Sequence, residues 1–129
     1  MHSVPLYHVL RLTFETREAF DTKKISRELL RNLYESYAPI PQIDRFLSHA
    51  EKLFPVGNCG LASLVLRHRL GKGEIVHGLY QESPHTFVQI DEWIVDITAD
   101  QYAGPCIYVG PFKYPWQLRK IGERDNVNV

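Results

Sequence analysis

Two cysteines in 129 residues, Cys59 and Cys106, stand in unrelated contexts and form no CxxC pair, so neither a disulfide framework nor a thiolate zinc site is available. Two free thiols in a reducing compartment follow. Charge of one sign is equally scarce, 15 basic residues facing 15 acidic ones, so no surface is set aside for nucleic acid or another polyanion. No apolar run approaches the ~20 residues that a membrane span requires, and Met1-His2-Ser3-Val4-Pro5 lacks the cationic start and apolar core of a secretory signal. The expectation is a cytoplasmic protein, or an effector delivered without a conventional signal peptide. The six histidines show no HxxxH or similar pairing, so no metal or other cofactor is expected.

What is present suffices for one domain with a core of its own, without repeats or linkers. Residues 1–20 fit neither strict alternation nor a clean helical stripe, and a strand or short helix is expected there. From Asp21, with Thr22 as a cap, Ile25, Leu29, Leu30, Leu33, Tyr34 and Tyr37 fall at helical spacing up to Pro39. Pro41 opens a second stripe through Ile43, Phe46, Leu47, Ala50, Leu53 and Phe54, ended by Pro55 and Gly57. The helix expected from Cys59 to Leu70 is apolar over so wide an arc that it reads as central and buried.

After Gly71 and Gly73 the period becomes that of strands: Glu74 to Tyr80, a hairpin from His85 to Thr98, and Cys106 to Val109, where Cys106 reads as a structural core thiol. Pro111, Pro115 and Trp116 read as an aromatic cover, and Glu123 to Asn126 as a frayed end. Helices first and sheet second is an α+β pattern, N-terminal helices packed on a small antiparallel sheet. Residues 1–56 form its helical part, 57–110 the part that carries chemistry, and 111–129 a tail.

A two-residue turn at Asp91-Glu92 sets Ile90 against Trp93, Val88 against Val95 and Thr86 against Ile97, an almost wholly apolar face that must lie on the core. The same register puts His85, Phe87, Gln89, Ile94, Asp96 and Thr98 on the other face, with Asp96 diagonal to His85 and within side-chain reach. Cys59, in the first turn of its helix, meets unpaired N–H groups and the positive end of the helix dipole, which favour a thiolate. A thiol, an imidazole and a carboxylate so arranged are the parts of an activated nucleophile: Cys59 attacks, His85 serves as base and then acid, and Asp96 orients it. The backbone N–H of Cys59 would hold an oxyanion together with a second donor, for which Asn58 and Gln42 are the candidates. Gly57 and Gly60 leave room for a substrate backbone beside the sulfur. Asp100 is a rival acid in the turn expected at Ala99-Asp100-Gln101. His49, His68 and His77 read as solvated or structurally satisfied.

Gly57-Asn58-Cys59-Gly60-Leu61-Ala62-Ser63 at a helix start, His85-Thr86-Phe87-Val88 opening a strand, and Trp93-Ile94-Val95-Asp96-Ile97-Thr98 together resemble the Cys-His-Asp core of papain-like cysteine hydrolases. The compact members of that group include NlpC/P60-like amidases, transglutaminase-like proteins and the papain-fold toxins and deamidase effectors of bacteria. The resemblance covers about the middle third of the chain and implies a papain-like core with the nucleophile at the start of a central helix. It implies a hydrolase or acyltransferase acting on an amide bond: a peptidase, an amidase or a glutamine deamidase whose substrate is a protein or peptide. The chain departs from the group in its short spacings from Cys59 to His85 and from His85 to Asp96, which imply a minimal sheet and a shallow groove. It also lacks an upstream glutamine motif. The reading from another class is a non-catalytic binding or inhibitor module that keeps the same fold.

Overall fold

The computed structural model describes residues 5–119, so the expectations for the chain's start and for Glu123 to Asn126 lie outside the described residues. Four α-helices come first: α1 (Leu6–Asp21), α2 (Arg27–Tyr37), α3 (Ile43–Leu53) and α4 (Cys59–Leu70). A five-stranded antiparallel sheet follows, built from β1 (Glu74–Tyr80), β2 (Ser83–Ile90), β3 (Trp93–Asp96), β4 (Tyr108–Pro111) and β5 (Trp116–Gln117) in the order β4-β3-β2-β1-β5. A 3-10 turn (Ala99–Tyr102) leaves β3.

The α+β expectation holds, and the individual elements differ in instructive ways. The first segment is a 16-residue helix whose buried stripe is Val9, Thr13 and Thr16. Both threonines are buried because their hydroxyls donate back to the carbonyls of Val9 (2.6 Å) and Leu12 (2.7 Å), which removes the cost of burying them. Thr22 therefore closes α1, donating to Glu18, instead of capping α2. The cap of α2 is Ser26, whose hydroxyl accepts from the Leu29 N–H. Gly71, at φ 75°, ends α4 in the left-handed conformation that a residue with a Cβ resists.

The core has two storeys on either side of the sheet. On one face Val88, Ile90, Val95 and Ile97 meet Val9, Ala62, Leu66 and Leu70 of α1 and α4, each a burial worth about 1.5–3 kcal/mol for the larger aliphatics. Ile43, Leu47, Ala50 and Leu61 extend it under α2 and α3. The hairpin register is as expected, Ile90 opposite Trp93 and Val88 opposite Val95, with Asp91 at φ 53° in the turn. The other face is also buried: Phe87 and Ile94 lie beneath Tyr80, Ala99 and Trp116. The stretch after Pro111 thus folds back over the sheet, and Trp116 pairs with Tyr80 as part of β5. Cys106 is exposed and precedes β4, correcting its expected place in a buried strand; Ala103, at φ 65°, and the residues after it carry the chain round a turn before pairing resumes at Tyr108.

Arg17 ties the helical layer to the turn after β3. Its guanidinium makes a two-pronged ion pair with Asp100 (2.9 Å each), donates to the Ile97 carbonyl (2.7 Å) and lies over the Phe54 ring. Asp100 is thereby committed to α1, which answers its candidacy as the acid.

Candidate active site

Cys59 is the first residue of α4 and is half-buried. Asn58, before it, is buried with its amide donating to the carbonyls of Ala50 and Val56 (3.0 Å each), so it stitches the end of α3 to the start of α4. That fixes where the thiol points and leaves no amide proton of Asn58 for a ligand. Gln42, the other expected oxyanion donor, precedes α3 and lines a separate groove with Ile40, Pro41 and Arg45; its side chain accepts from Arg45.

His85 is enclosed, 1% exposed, with Tyr80 and Tyr102 presenting their rings edge-on to it. Its Nε2 lies 2.7 Å from Asp96 Oδ2. The same oxygen accepts the indole N–H of Trp116 (2.8 Å), while Oδ1 accepts the Thr98 N–H (2.9 Å) and its hydroxyl (3.4 Å). A carboxylate surrounded in this way is a pure acceptor, so His85 Nε2 carries a proton and Nδ1 is the nitrogen left over, 3.2 Å from Gln101 Nε2.

Electrostatics follow from that geometry. Burial alone would push the Cys59 thiol up, but hydrogen bonds and charge from His85, with further hydrogen bonds from the N–H and hydroxyl of Thr86, bring it below its ordinary value. Burial would lower His85, and it is overcome by Asp96 and Cys59, which raise the imidazole to about 9. Each shift favours a thiolate beside an imidazolium.

The sulfur opens onto a groove of about 350 Å³ walled by Tyr34, Tyr37, Phe46, Pro84 and Tyr102, and no Lys, Arg, Asp or Glu among the described residues lines it. The phenols of Tyr34, Tyr37 and Tyr102, which share the groove with the thiol, are raised first by burial and further by the charge at Cys59, Tyr34 also by Tyr37. Gly57 and Gly60 both line the groove; a Cβ at Gly57 would meet nothing within 4 Å, and one at Gly60 only the Tyr34 hydroxyl at 3.9 Å. A separate cavity of about 30 Å³ beside Phe20 and Phe54 lies away from the thiol.

Two site residues escaped the sequence reading. Gln101 reaches in from the 3-10 turn, its Nε2 3.2 Å from His85 Nδ1 and its Oε1 accepting the Gly57 N–H (3.2 Å). His77, expected to be solvated or structurally satisfied, is exposed on β1 and bonded at both nitrogens, Nε2 to the Tyr37 hydroxyl and Nδ1 to Thr86 Oγ1 (3.1 Å). The register could have shown the second, because His77 stands directly opposite Thr86. His49 and His68 are exposed. Among the described residues no three His, Cys, Asp or Glu converge as metal ligands, and no helix is long and apolar enough to cross a membrane.

No protein-family model, curated protein or solved structure matches the chain.

Proposed function

We propose that the protein is a papain-like cysteine hydrolase or acyltransferase that cleaves an amide bond in a protein or peptide. One observation carries the reading: an imidazole held at Nε2 by a buried carboxylate lowers the pKa of a half-buried thiol that opens a helix. In the first half-reaction Cys59 Sγ attacks the amide carbon and the carbonyl electron pair moves onto oxygen. The backbone N–H of Cys59 and the Gln101 amide receive that oxyanion. Gln101 is available because an Nδ1 that has taken up the thiol proton no longer accepts from it. Nδ1–H then protonates the departing amine as the C–N bond breaks, leaving a thioester. Water, or an acceptor amine, loses a proton to Nδ1 and attacks the thioester, and the thiolate leaves.

The groove sets the substrate class. Its uncharged, aromatic walls favour an amide flanked by apolar or aromatic groups, and a buried charge there would go unpaired. Gly57 and Gly60 give an extended backbone room beside the sulfur.

Alkylation of the two thiols against pH tests the reading. Cys59 should react near its plateau rate below neutral pH, well under the ordinary thiol value of ~8.5, and His85→Ala should abolish that advantage. If Cys59 reacts as slowly as the exposed Cys106, the hydrolase fails and a non-catalytic binding module takes its place.

A further inference from the structure

The groove at the thiol does not end at Phe46. That ring also lines a second groove of about 380 Å³, together with Ile40, Pro41, Gln42, Arg45 and His49. The link back to the nucleophile is short: Phe46 packs on Tyr34 with ring centroids 5.0 Å apart, and the Tyr34 hydroxyl lies 3.9 Å from where a Cβ on Gly60 would stand. Gln42, Arg45, Phe46 and His49 recur at i, i+3, i+4 and i+7, so α3 turns this stripe outward while Ile43, Leu47 and Ala50 face the core.

The two grooves differ in charge. Arg45 lines the second, and no Asp or Glu among the described residues does. Arg11 and Arg31, also in the helical layer, are each paired with a carboxylate, Glu15 and Asp44. Arg45 instead donates to the neutral Oε1 of Gln42 (3.2 Å), and no carboxylate among the described residues pairs with it. Gln42 holds that oxygen out from a backbone at φ 55°, a conformation that a residue with a Cβ resists. The guanidinium has further N–H groups in the same plane, in the fork that suits a carboxylate.

We infer that the second groove is a substrate subsite, and that the substrate is a peptide with an acidic side chain a few residues from the scissile amide. Arg45 receives the carboxylate, and Ile40, Pro41 and Phe46 cover the apolar part of the chain that carries it. His49, one turn beyond Arg45, has an N–H to give in either neutral tautomer. The inference rests on the proposed function and narrows its substrate: apolar groups beside the amide, an acid beyond Phe46. Arg45 is exposed, so the pair contributes selectivity more than tight binding.

Peptide electrophiles test this without a known substrate. Chloroacetyl-capped peptides and peptidyl chloromethyl ketones extend from the sulfur in opposite directions; each is built on alanine with one glutamate walked along it, beside a glutamine twin. The rate of labelling at Cys59, read by mass spectrometry, gives a glutamate-to-glutamine ratio at each position. In the wild type the ratio should reach about three to ten at one position and fall towards one in ~1 M salt, where screening acts within about 3 Å. Arg45→Gln, a conservative change on an exposed helix face, should bring it to about one, and Arg45→Glu should invert it. Arg11→Gln, which removes the same charge from a residue lining neither groove, should preserve it. A ratio near one throughout in the wild type, a preference that survives Arg45→Gln, or one lost equally in Arg11→Gln would overturn the subsite. Chloroacetamide separates the two failures: a wild-type Cys59 as slow as Cys106 overturns the proposed function and the subsite with it, whereas a fast Cys59 without acidic preference removes the subsite alone.

Discussion

Asp96→Asn isolates the carboxylate, since it exchanges one oxygen for NH2 at nearly constant shape. In the wild type both oxygens only accept: Oδ2 from His85 (2.7 Å) and Trp116 (2.8 Å), Oδ1 from the Thr98 N–H (2.9 Å). A carboxamide has one acceptor oxygen, and neither the Trp116 indole nor the Thr98 amide can reverse. With the oxygen kept towards His85, the new NH2 confronts the Thr98 N–H; turned the other way, it confronts the Trp116 N–H. One buried donor is orphaned in each case, at about 1–3 kcal/mol. The lost charge adds to this. Raising His85 from 6.5 to about 9 corresponds to roughly 3 kcal/mol at ~1.4 kcal/mol per tenfold, and Asp96 supplies a large share of it. We expect unfolding by urea at neutral pH to show a loss of about 2–4 kcal/mol. The alkylation midpoint of Cys59 should rise by about one to two pH units as its imidazolium weakens. An Asn variant within ~0.5 kcal/mol of wild-type stability, with an unmoved thiol midpoint, would show that the four-donor cage does not act on the site.

Two further outcomes follow from the same residues. Above 6.5 and up to about 9, native His85 keeps a proton that the unfolded chain loses, while native Cys59, lowered from 9.0, has lost one that the unfolded chain keeps. The two linkages cancel where both apply, so the pair adds little slope there to stability against pH. Cys59→Ser removes one side: the His85 contribution should be complete below 6.5 and fall as pH rises through its native value, by up to about 1.4 kcal/mol per pH unit. A difference profile without slope refutes the imidazolium. Gln101→Ala should leave Cys59 alkylation within a few-fold of wild type while slowing amide turnover by about 10²–10³-fold; turnover that survives unchanged excludes Gln101 as the oxyanion donor.

The hairpin and α4 were legible in the sequence because their burial is aliphatic. Val88, Ile90, Val95 and Ile97 alternate with Phe87, Gln89, Ile94 and Asp96, and a slip of one residue would turn them all away from the helices, so the register declared itself and brought Asp96 to His85. The first helix was not legible because two of the three residues in its buried stripe are threonine, polar by composition and satisfied only once the helix has formed. That the face of Phe87 and Ile94 is also covered was not legible, because its cover, Trp116 and Tyr80, comes from strands that short-range patterning does not pair. Gln101 is a neutral side chain in a four-residue turn, and long-range contacts aim that turn at the site: the Arg17–Asp100 ion pair, formed across 83 positions, and the Tyr102 hydroxyl on the Pro84 carbonyl. Spacing near the thiol favoured Asn58 and Gln42, whereas proximity in space favours a residue more than forty positions downstream.

Trp116 belongs to the last strand of the sheet, yet its indole clamps the oxygen that steadies His85. A growing chain therefore exposes its sulfur, its imidazole and its carboxylate before it has made the residue that closes the cage. Until β5 zips onto β1, water competes for that oxygen and the imidazole is free to swing. Under the proposed function, the order of synthesis acts as a safety catch, withholding the nucleophile from the half-made protein and from its neighbours.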